Sequence, residues 1–251
     1  MNKIKSEKSL INMDNIKIIF FDIDGTLIDM NRKCISENTL KTLIRLKQKK
    51  IILCIATGRS PLGLPHFDEI EFDAFLTFNG SYCFNKRESI FSNPILTTDV
   101  KQIIKNASSI NRPVSIATKE RLISNGKDND LVQYHSFANL EVNIADDFEY
   151  VLNNQEIYQV LVGCCKKDYS ELMKNVSHAK ITAWWDRAVD IIPANGGKGV
   201  GINKILEMLQ SVGLGVAMEN ASDDLKAIAD DTCGHVAEEG IYHYCIRHKL
   251  I

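Results

Sequence analysis

The sequence lacks three features that would place it at once in a broad class. The formal net charge is only −2 over 251 residues, so no excess of one sign draws the chain toward nucleic acid or an anionic membrane. No stretch approaches the ~18 consecutive apolar residues of a membrane-spanning helix. The polar segment 1–15 also lacks the apolar core of a signal peptide. We therefore expect neither a nucleic acid nor a membrane partner.

Cysteine and histidine do not form the spacings of a disulfide framework or a zinc site. The seven cysteines are odd in number, scattered and without a C-x-x-C pair, and the six histidines show no metal-ligand spacing. Several cysteines lie inside apolar runs, which is typical of buried, reduced thiols. We expect a cytoplasmic protein, and the sequence predicts no oligomeric state.

The first eighty residues show the pattern of a parallel α/β sheet. Continuous apolar segments at 16–23 and 51–57 are typical of strands buried on both faces. Residues 36–50 between them carry apolar residues at helical spacing, after a candidate N-cap at Ser36. Strand, helix and strand in this order predict a βαβ unit. A third strand is expected at 72–80, with a turn at its end.

From about Ser81 the pattern changes to shorter, mixed elements. The expected elements are a hairpin at 81–93, helices at 98–110 and 168–176, strands at 112–118 and 157–165, and two strands within 179–193. Such a mixture favours an α+β insert. A helix at 199–209, a strand at 213–218 and a helix capped by Ser222 then resume the earlier style. The prediction is a doubly wound parallel core at 1–80 and 190–251, interrupted by an inserted domain at 81–189.

Two aspartates, Asp22 and Asp24, follow the first predicted strand in the segment DIDGT. Residues i and i+2 of a strand project the same way, and open α/β sheets bind ligands at the carboxyl ends of their strands. Adjacent carboxylates repel unless a proton or cation lies between them, and oxygen ligands without nearby His or Cys favour Mg²⁺. One carboxylate can also attack phosphorus while the other acts as general acid and base. The alternative, a pair of surface-loop carboxylates, does not explain the buried strand before them.

Two further segments offer groups suited to a phosphate. Thr57 ends the second strand before Gly58, where its hydroxyl and a backbone N–H can hold a phosphate oxygen. Lys198 lies among glycines just before a predicted helix, which combines a positive charge with free N–H groups. Each segment alone is more typical of an ordinary turn. Together with the aspartate pair they favour a phosphate site.

These motifs carry a resemblance to a known family. DIDGT, ATGR at 56–59 and GGKGVGINKIL at 196–206, with an insert between the second and third, resemble the haloacid dehalogenase-like (HAD) hydrolases. The position of the insert and the ending GVAMENASDDLKAIAD resemble the Cof-type phosphatase subgroup. The resemblance implies a Rossmann-like core with an α+β cap domain. It also implies a Mg²⁺-dependent phosphatase acting on a small phosphorylated metabolite, such as a sugar phosphate, through an aspartyl-phosphate intermediate.

The same resemblance assigns roles to single residues. Asp22 is the expected nucleophile and Asp24 the expected general acid and base, with Mg²⁺ on the Asp22 carboxylate and the Asp24 carbonyl. The residues expected around the phosphate are Ile23, Thr57, Gly58 and Lys198. Asn79 and Gly80, at the expected junction of core and cap, are weaker candidates for a hinge and a contact to the leaving group.

The family's fourth motif, G-D-G-x-N-D, has no counterpart in this chain. No aspartate occurs from Gly199 to Ser222, and sequence resembling the two flanks of the motif joins near Glu207–Met208. Either the printed sequence omits a segment and is numbered through the omission, or the deletion is genuine and removes a strand and a metal ligand. We favour the omission, because both flanks look intact and loss of a central strand should damage the core.

Three functions follow from these alternatives. A phosphatase is the first, and a phosphomutase, which returns the phosphate to a sugar, shares the aspartate pair. A catalytically impaired protein that binds a phosphorylated metabolite follows if the deletion is genuine. The substrate is not predicted, because cap residues select it. Of the adjacent Trp184 and Trp185 one could line a substrate cleft, but packing within the cap is the favoured interpretation.

Overall fold

The structure, a computed structural model, describes residues 16–67, 69–138, 140–183, 185–202 and 214–251. The chain divides into two compact units. The first unit comprises Met1–Ile55, Phe67–Asp73 and Gln210–Ile251, and the second comprises Ala56–His66 and Ala74–Leu209. The core and cap boundaries expected from the sequence stay a prediction.

The described residues alternate between short strands and helices. The strands are β1 (Ile18–Phe21), β2 (Ile52–Ala56), β3 (Ala74–Thr77), β4 (Tyr82–Phe84), β5 (Ser89–Ser92), β6 (Val114–Ala117), β7 (Leu122–Ser124), β8 (Gln159–Val162), β9 (Ala179–Thr182), β10 (Val189–Pro193), β11 (Val216–Met218) and β12 (Asp231–Cys233). The helices whose bounds lie within the described residues are α1 (Glu37–Gln48), α2 (Thr97–Ser109), α3 (Asn129–Ser136), α4 (Phe148–Asn154), α5 (Tyr169–Leu172), α6 (Asp223–Ile228) and α7 (Gly240–Arg247). No helix in these residues is long and apolar enough to span a bilayer.

The first unit contains the predicted βαβ element. β1 and β2 pair in parallel, from Ile18 opposite Ile52 to Phe21 opposite Ile55. α1 connects them and begins at the predicted cap, where the Ser36 hydroxyl accepts a hydrogen bond from the Thr39 N–H at 3.1 Å. The apolar face of α1 is fully buried at Leu43 and Leu46. The predicted βαβ unit is confirmed, and β2 is buried as expected. The expected burial of the first strand is wrong, because only Phe21 of β1 is buried and its other residues are partly exposed.

The carboxyl-terminal part of the first unit forms a second parallel pair, β11 with β12. Within the part of the chain that the structure describes, β1 pairs only with β2, and β11 only with β12. The join at Glu207–Met208 and residues 203–213 of the predicted helix and strand lie outside the described residues. The choice between an omitted segment and a genuine deletion therefore stays a prediction.

The second unit contains two antiparallel arrangements. β3, β4 and β5 form a meander, and a separate five-stranded sheet has the order β7-β6-β8-β10-β9. Helices α2 and α4 pack on one face of that sheet through buried side chains such as Ile103 and Val151. An α+β insert was expected here, and its strands other than β7 and its long helix α2 overlap the segments that the sequence indicates.

Several small elements of this unit differ from the expectation. β7, α3 and α4 were not predicted, and α5 ends at Leu172 instead of continuing to residue 176. Asn175 has a left-handed backbone, with φ of 60°, which is typical of a residue that follows a helix end. Trp185 stacks on Tyr134 at 6.0 Å between ring centroids, so the expected packing is confirmed for this residue. Trp184 lies outside the described residues.

Candidate active site

The chain makes a tight turn immediately after β1, around the carbonyl oxygen of Ile23. Three backbone N–H groups donate to this oxygen at 3.2, 3.0 and 2.9 Å, those of Thr26, Leu27 and Ile28. Gly25 has a φ of +76°, a conformation that glycine adopts without a steric penalty. The glycine in DIDGT therefore has a local structural reason, and the turn fixes the backbone on both sides of Asp24.

The side chains around this turn alternate in burial. Ile23 is fully buried, whereas its neighbours Asp22 and Asp24 are only partly buried. The structure thus leaves both aspartates partly exposed just past the carboxyl end of β1, on either side of a buried side chain. That the two carboxylates face the same way stays a prediction.

Asn220, which the sequence analysis did not single out, supports the same turn. Its side-chain Nδ2 donates to the carbonyl of Gly25 at 2.8 Å, and its Oδ1 accepts from the N–H of Val236 at 3.1 Å. The amide therefore connects the turn after β1 with two segments of the carboxyl-terminal part of the first unit. An asparagine two residues past the predicted strand at 213–218 was the only available signal.

In the second unit, Thr57 directs its hydroxyl into the turn after β2. The Thr57 side chain is buried, and its Oγ1 accepts from the N–H of Arg59 at 3.1 Å. The backbone is held on both sides, because its N–H donates to Leu76 and its carbonyl accepts from the N–H of Asn79 at 3.0 Å. The turn that follows β3 therefore closes against the turn that follows β2.

Asn79 and Gly80 bring the threonine turn and the lysine segment of the second unit together. A Cβ built on Gly58 would lie 3.1 Å from Oδ1 of Asn79. A Cβ on Gly80, whose φ is +83°, would lie 2.6 Å from the carbonyl oxygen of Gly197. Both residues thus pack against predicted phosphate-site segments, one against each. The predicted turn at this position is confirmed, whereas its role as a hinge stays a prediction.

The glycine segment before Lys198 is ordered by several hydrogen bonds. The N–H of Gly196 donates to Pro193 at 2.8 Å, and the carbonyl of Gly196 accepts from Nζ of Lys180 at 2.6 Å. A helix then begins at residue 198, where the N–H of Val200 donates back to Gly197 at 2.9 Å. Lys198 therefore stands at a helix start, as its sequence context predicts.

The expected site residues are divided between the two units. Asp22, Ile23 and Asp24 belong to the first, and Thr57, Gly58, Asn79, Gly80 and Lys198 belong to the second. The second unit brings its own members together through the contacts of Asn79 and Gly80. That both groups act on one phosphate stays a prediction.

The donor set at the end of β1 suits a hard divalent cation. Asp22 and Asp24 offer carboxylate and carbonyl oxygens, and Mg²⁺ usually takes one or two carboxylates and completes its shell with water and substrate phosphate. Within the described ranges, no group of three or more His, Cys, Asp or Glu side chains could hold a metal ion. The oxygen donors of Asp22 and Asp24 are of the kind and number that Mg²⁺ takes from a protein, and in that sense the residues present fit it.

Sequence comparison assigns the family. The chain belongs to the haloacid dehalogenase-like hydrolases, because the sequence model of that family matches residues 19–207 and 206–245. The match is in two segments that meet at the predicted join near Glu207–Met208. This break agrees with the absence of the fourth motif.

Individual proteins narrow the assignment. YkrA of Bacillus subtilis (strain 168) is 28% identical over 246 residues, covering 90% of this chain and 95% of that protein. The 5-amino-6-(5-phospho-D-ribitylamino)uracil phosphatase YitU of the same strain is 27% identical over 261 residues, covering 90% of this chain and 95% of that protein. The solved structure of the HAD subclass IIB sugar phosphatase BT4131 is 25% identical with a TM-score of 0.80, covering 94% of this chain and 100% of that one.

These similarities define the protein's class of activity. Within the HAD-like hydrolases, the chain is a Cof-type phosphatase, that is, a phosphoric monoester hydrolase. The predicted α/β class, a Rossmann-like core with an α+β cap, is confirmed. Phosphatases of this superfamily generally use a divalent metal.

Proposed function

We propose that this protein hydrolyses a small phosphorylated metabolite, such as a sugar phosphate, with Mg²⁺ and through an aspartyl-phosphate on Asp22. The observation that carries the proposal is the turn after β1, which leaves Asp22 and Asp24 partly exposed on either side of the buried Ile23. The names of YitU and BT4131, both phosphatases of small phosphorylated molecules, support the substrate class.

The two carboxylates take different roles in the proposed reaction. An oxygen of Asp22 attacks phosphorus in line, and the bond from phosphorus to the substrate oxygen breaks. Asp24 gives its proton to that oxygen, so the alcohol leaves neutral. The resulting Asp24 carboxylate then takes a proton from a water molecule, which attacks phosphorus and releases phosphate and the free Asp22 carboxylate.

The remaining predicted residues bind and orient the phosphate. We assign phosphate contacts to the backbone of Ile23 and Gly58, the hydroxyl of Thr57 and the ammonium of Lys198. The Asp22 carboxylate and the Asp24 carbonyl would hold Mg²⁺, which would supply positive charge to offset the carboxylates and the phosphate oxygens. Because uncatalysed phosphate-monoester hydrolysis is extremely slow, these electrostatic and positioning effects carry most of the rate enhancement.

One observation favours a second candidate, a protein that binds a phosphorylated metabolite with impaired catalysis. The acidic residues of the fourth motif are absent between Gly199 and Ser222. Loss of even an indirect metal contact typically costs 10–100-fold in metal affinity or activity. A genuine deletion would therefore leave weak metal binding and little turnover. No observation favours a phosphomutase over these two.

The test is phosphate release from p-nitrophenyl phosphate and from a panel of phosphorylated metabolites. We expect steady release with Mg²⁺, loss with EDTA, and recovery when Mg²⁺ is restored. Asp22→Asn removes the nucleophile and should lower kcat by on the order of 10³-fold or more. The control is Asp223→Asn, which changes an aspartate whose side chain is 99% exposed and should not alter kcat.

Two outcomes contradict the proposal. Equal activity of Asp22→Asn and the wild type removes Asp22 from the mechanism. A wild-type protein that binds inorganic phosphate in calorimetry but turns over none of the panel supports the binding-protein candidate instead.

A further inference from the structure

We propose that Lys180, on the edge strand β9 of the insert, is a positioning residue for Lys198. Its ammonium holds the two glycines that precede Lys198 and so fixes where the phosphate-binding lysine and the first N–H groups of its helix point. This inference rests on the proposed function, since the phosphate contact gives the positioning its purpose.

The contact between Lys180 and the glycine segment is short and charged. Nζ donates to the carbonyl oxygen of Gly196 at 2.6 Å, and it lies 4.0 Å from the place that a Cβ on Gly197 would occupy. Hydrogen bonds from an ionised donor are shorter and roughly twice as strong as neutral ones. Lys180 therefore bonds to Gly196 directly, and its ammonium also lies close to the side of Gly197 where a side chain would be.

Strand pairing anchors the base of this side chain. In the antiparallel pair of β9 and β10, Lys180 lies opposite Ile192, and Ala179 opposite Pro193. The N–H of Ala194 continues the pairing by donating to the carbonyl of His178 at 2.8 Å. The backbone of Lys180 is thus fixed beside the strand that leads into the glycine segment, and its side chain reaches forward from there.

The glycine segment needs such a contact, because glycine loses the most conformational entropy when its backbone is ordered. Gly197 has a φ of +137°, outside the range that other residues readily adopt. The hydroxyl of Ser81, although close to Gly196, does not supply the restraint. Its buried Oγ has no hydrogen-bond partner among the described residues, although it lies 3.1 Å from where a Cβ on Gly196 would be.

Lys180 connects strand β9 with the glycine segment before Lys198, and all three belong to the second unit. A neutral or apolar residue at position 180 would leave the Gly196 carbonyl without its charged donor, and the two glycines could then sample other conformations. A misplacement of about 1 Å at a catalytic group can lower a rate by about 100-fold. Lys180 therefore acts on the chemistry through Lys198 without contacting the substrate.

The experiment compares Lys180→Met and Lys180→Arg with the wild type in the full chain. The matched control is Lys174→Met, which removes an exposed lysine of the same insert whose Nζ lies 3.4 Å from Glu171. Three quantities are measured: amide hydrogen exchange of the peptide 194–202 without ligand, the dissociation constant for inorganic phosphate, and kcat/KM for p-nitrophenyl phosphate.

We expect Lys180→Met to exchange faster in that peptide, to bind phosphate about 10-fold more weakly, and to lose about 10–100-fold in kcat/KM. Lys180→Arg, which keeps a charged donor, should recover most of each change, and Lys174→Met should match the wild type. Lys180→Met with unchanged exchange and phosphate affinity overturns the proposal. So does a loss of thermal stability alone, because a merely structural lysine would produce that result.

Two further outcomes are distinguishable. If the wild type neither binds phosphate nor turns over any ester, the proposed function fails, while the exchange comparison still tests whether Lys180 holds the segment. If Lys180→Met does not fold, Lys180→Gln, whose neutral side chain is shorter, replaces it with the same expectations.

Discussion

In the first unit, Asp22 and Asp24 stand at the carboxyl end of β1 with partly exposed side chains, whereas in the second unit Asp190 lies inside β10 and is 6% exposed. Asp190 accepts a hydrogen bond from the hydroxyl of Tyr134 at 3.0 Å. Burial raises the pKa of Asp190 to about 7, against the opposing effect of its hydrogen bonds with Tyr134 and Gln159. The end of a strand leaves a carboxylate available for chemistry, and the middle of a covered strand does not.

Asp231, at the start of β12 in the first unit, shows a third environment. Its Oδ2 accepts from the hydroxyl of Tyr244 at 3.0 Å and lies 3.5 Å from Nε2 of His248. Desolvation alone would raise the pKa of Asp231, but the hydrogen bonds from Thr232 and Tyr244 and the nearby positive charges hold it below the usual value. The pKa of Asp231 is therefore lowered, whereas the pKa of Asp190 is raised.

The largest expected effect in this comparison is on kcat/KM. It tests whether Asp24, at the end of a strand, takes part in the chemistry while Asp190, inside a strand, does not. Asp24→Asn removes the proton donor, so kcat/KM for an alkyl phosphate should fall by about 10²–10⁴-fold. The loss should be much smaller for p-nitrophenyl phosphate, whose leaving group needs no proton. Asp190→Asn should show no dependence on the leaving group. Equal losses of Asp24→Asn on both substrates would remove the general-acid role.

A smaller effect, on stability, should distinguish two glycines that have similar backbone conformations but different neighbours, one in each unit. Gly25 and Gly80 have φ of +76° and +83°, but a Cβ on Gly25 would meet the side-chain Nδ2 of Asn220 at 3.1 Å, whereas one on Gly80 would meet backbone of Gly197 at 2.6 Å. A non-glycine residue in a left-handed conformation costs about 1–3 kcal/mol. Gly25→Ala should lose about that much stability in urea unfolding, and Gly80→Ala clearly more. Similar losses of stability in the two variants would show that the backbone around Gly197 can shift to make room for a Cβ on Gly80.

The smallest effects are changes in the free energy of unfolding with pH, and these should have opposite signs for Asp190 and Asp231. The pKa of Asp190 is 3.8 in the unfolded chain and about 7 in the folded protein. Between these two pH values the folded state binds more protons than the unfolded state, so the free energy of unfolding falls as pH rises. Asp190→Asn should therefore gain stability relative to the wild type from pH 4.5 to pH 7.5. The lowered pKa of Asp231 contributes stability that is lost as pH falls, so Asp231→Asn should be less stable at neutral pH, with the difference shrinking in acid. The free energy of unfolding of each variant relative to the wild type is measured in urea at several pH values. If this difference changes with pH in the same direction for both variants, the two environments described above are contradicted.

The sequence predicts best where one local pattern decides the outcome. Ser36 caps α1 and Ser222 caps α6 through hydrogen bonds to the N–H three residues on, as their position before an amphipathic segment indicates. The strand β1 and the turn at Gly25 are equally local. For the same reason DIDGT could be interpreted chemically before any fold was known.

The contacts that sequence reasoning missed join residues far apart in the chain. Nothing near Asn220 indicates that its amide reaches Gly25, and nothing near Lys180 indicates that it reaches Gly196, because both contacts depend on tertiary pairing. α3 was missed for another reason. Its segment NDLVQYHS is largely polar, and the helix depends on the cap at Asp128, which accepts from the Leu131 N–H at 2.8 Å, and on packing through Leu131 and Tyr134.

The carboxamide of Asn220 has a consequence for how the aspartate loop could be tuned. Because one planar group bonds to Gly25 on one side and to Val236 on the other, its width sets the separation between the bend after Asp24 and the loop after β12. Asp at position 220 would offer two acceptors and no donor to the Gly25 carbonyl, and a longer Gln would push the two loops apart. Fine adjustment of the loop that carries Asp24 can thus come from a residue nearly two hundred positions away from Gly25.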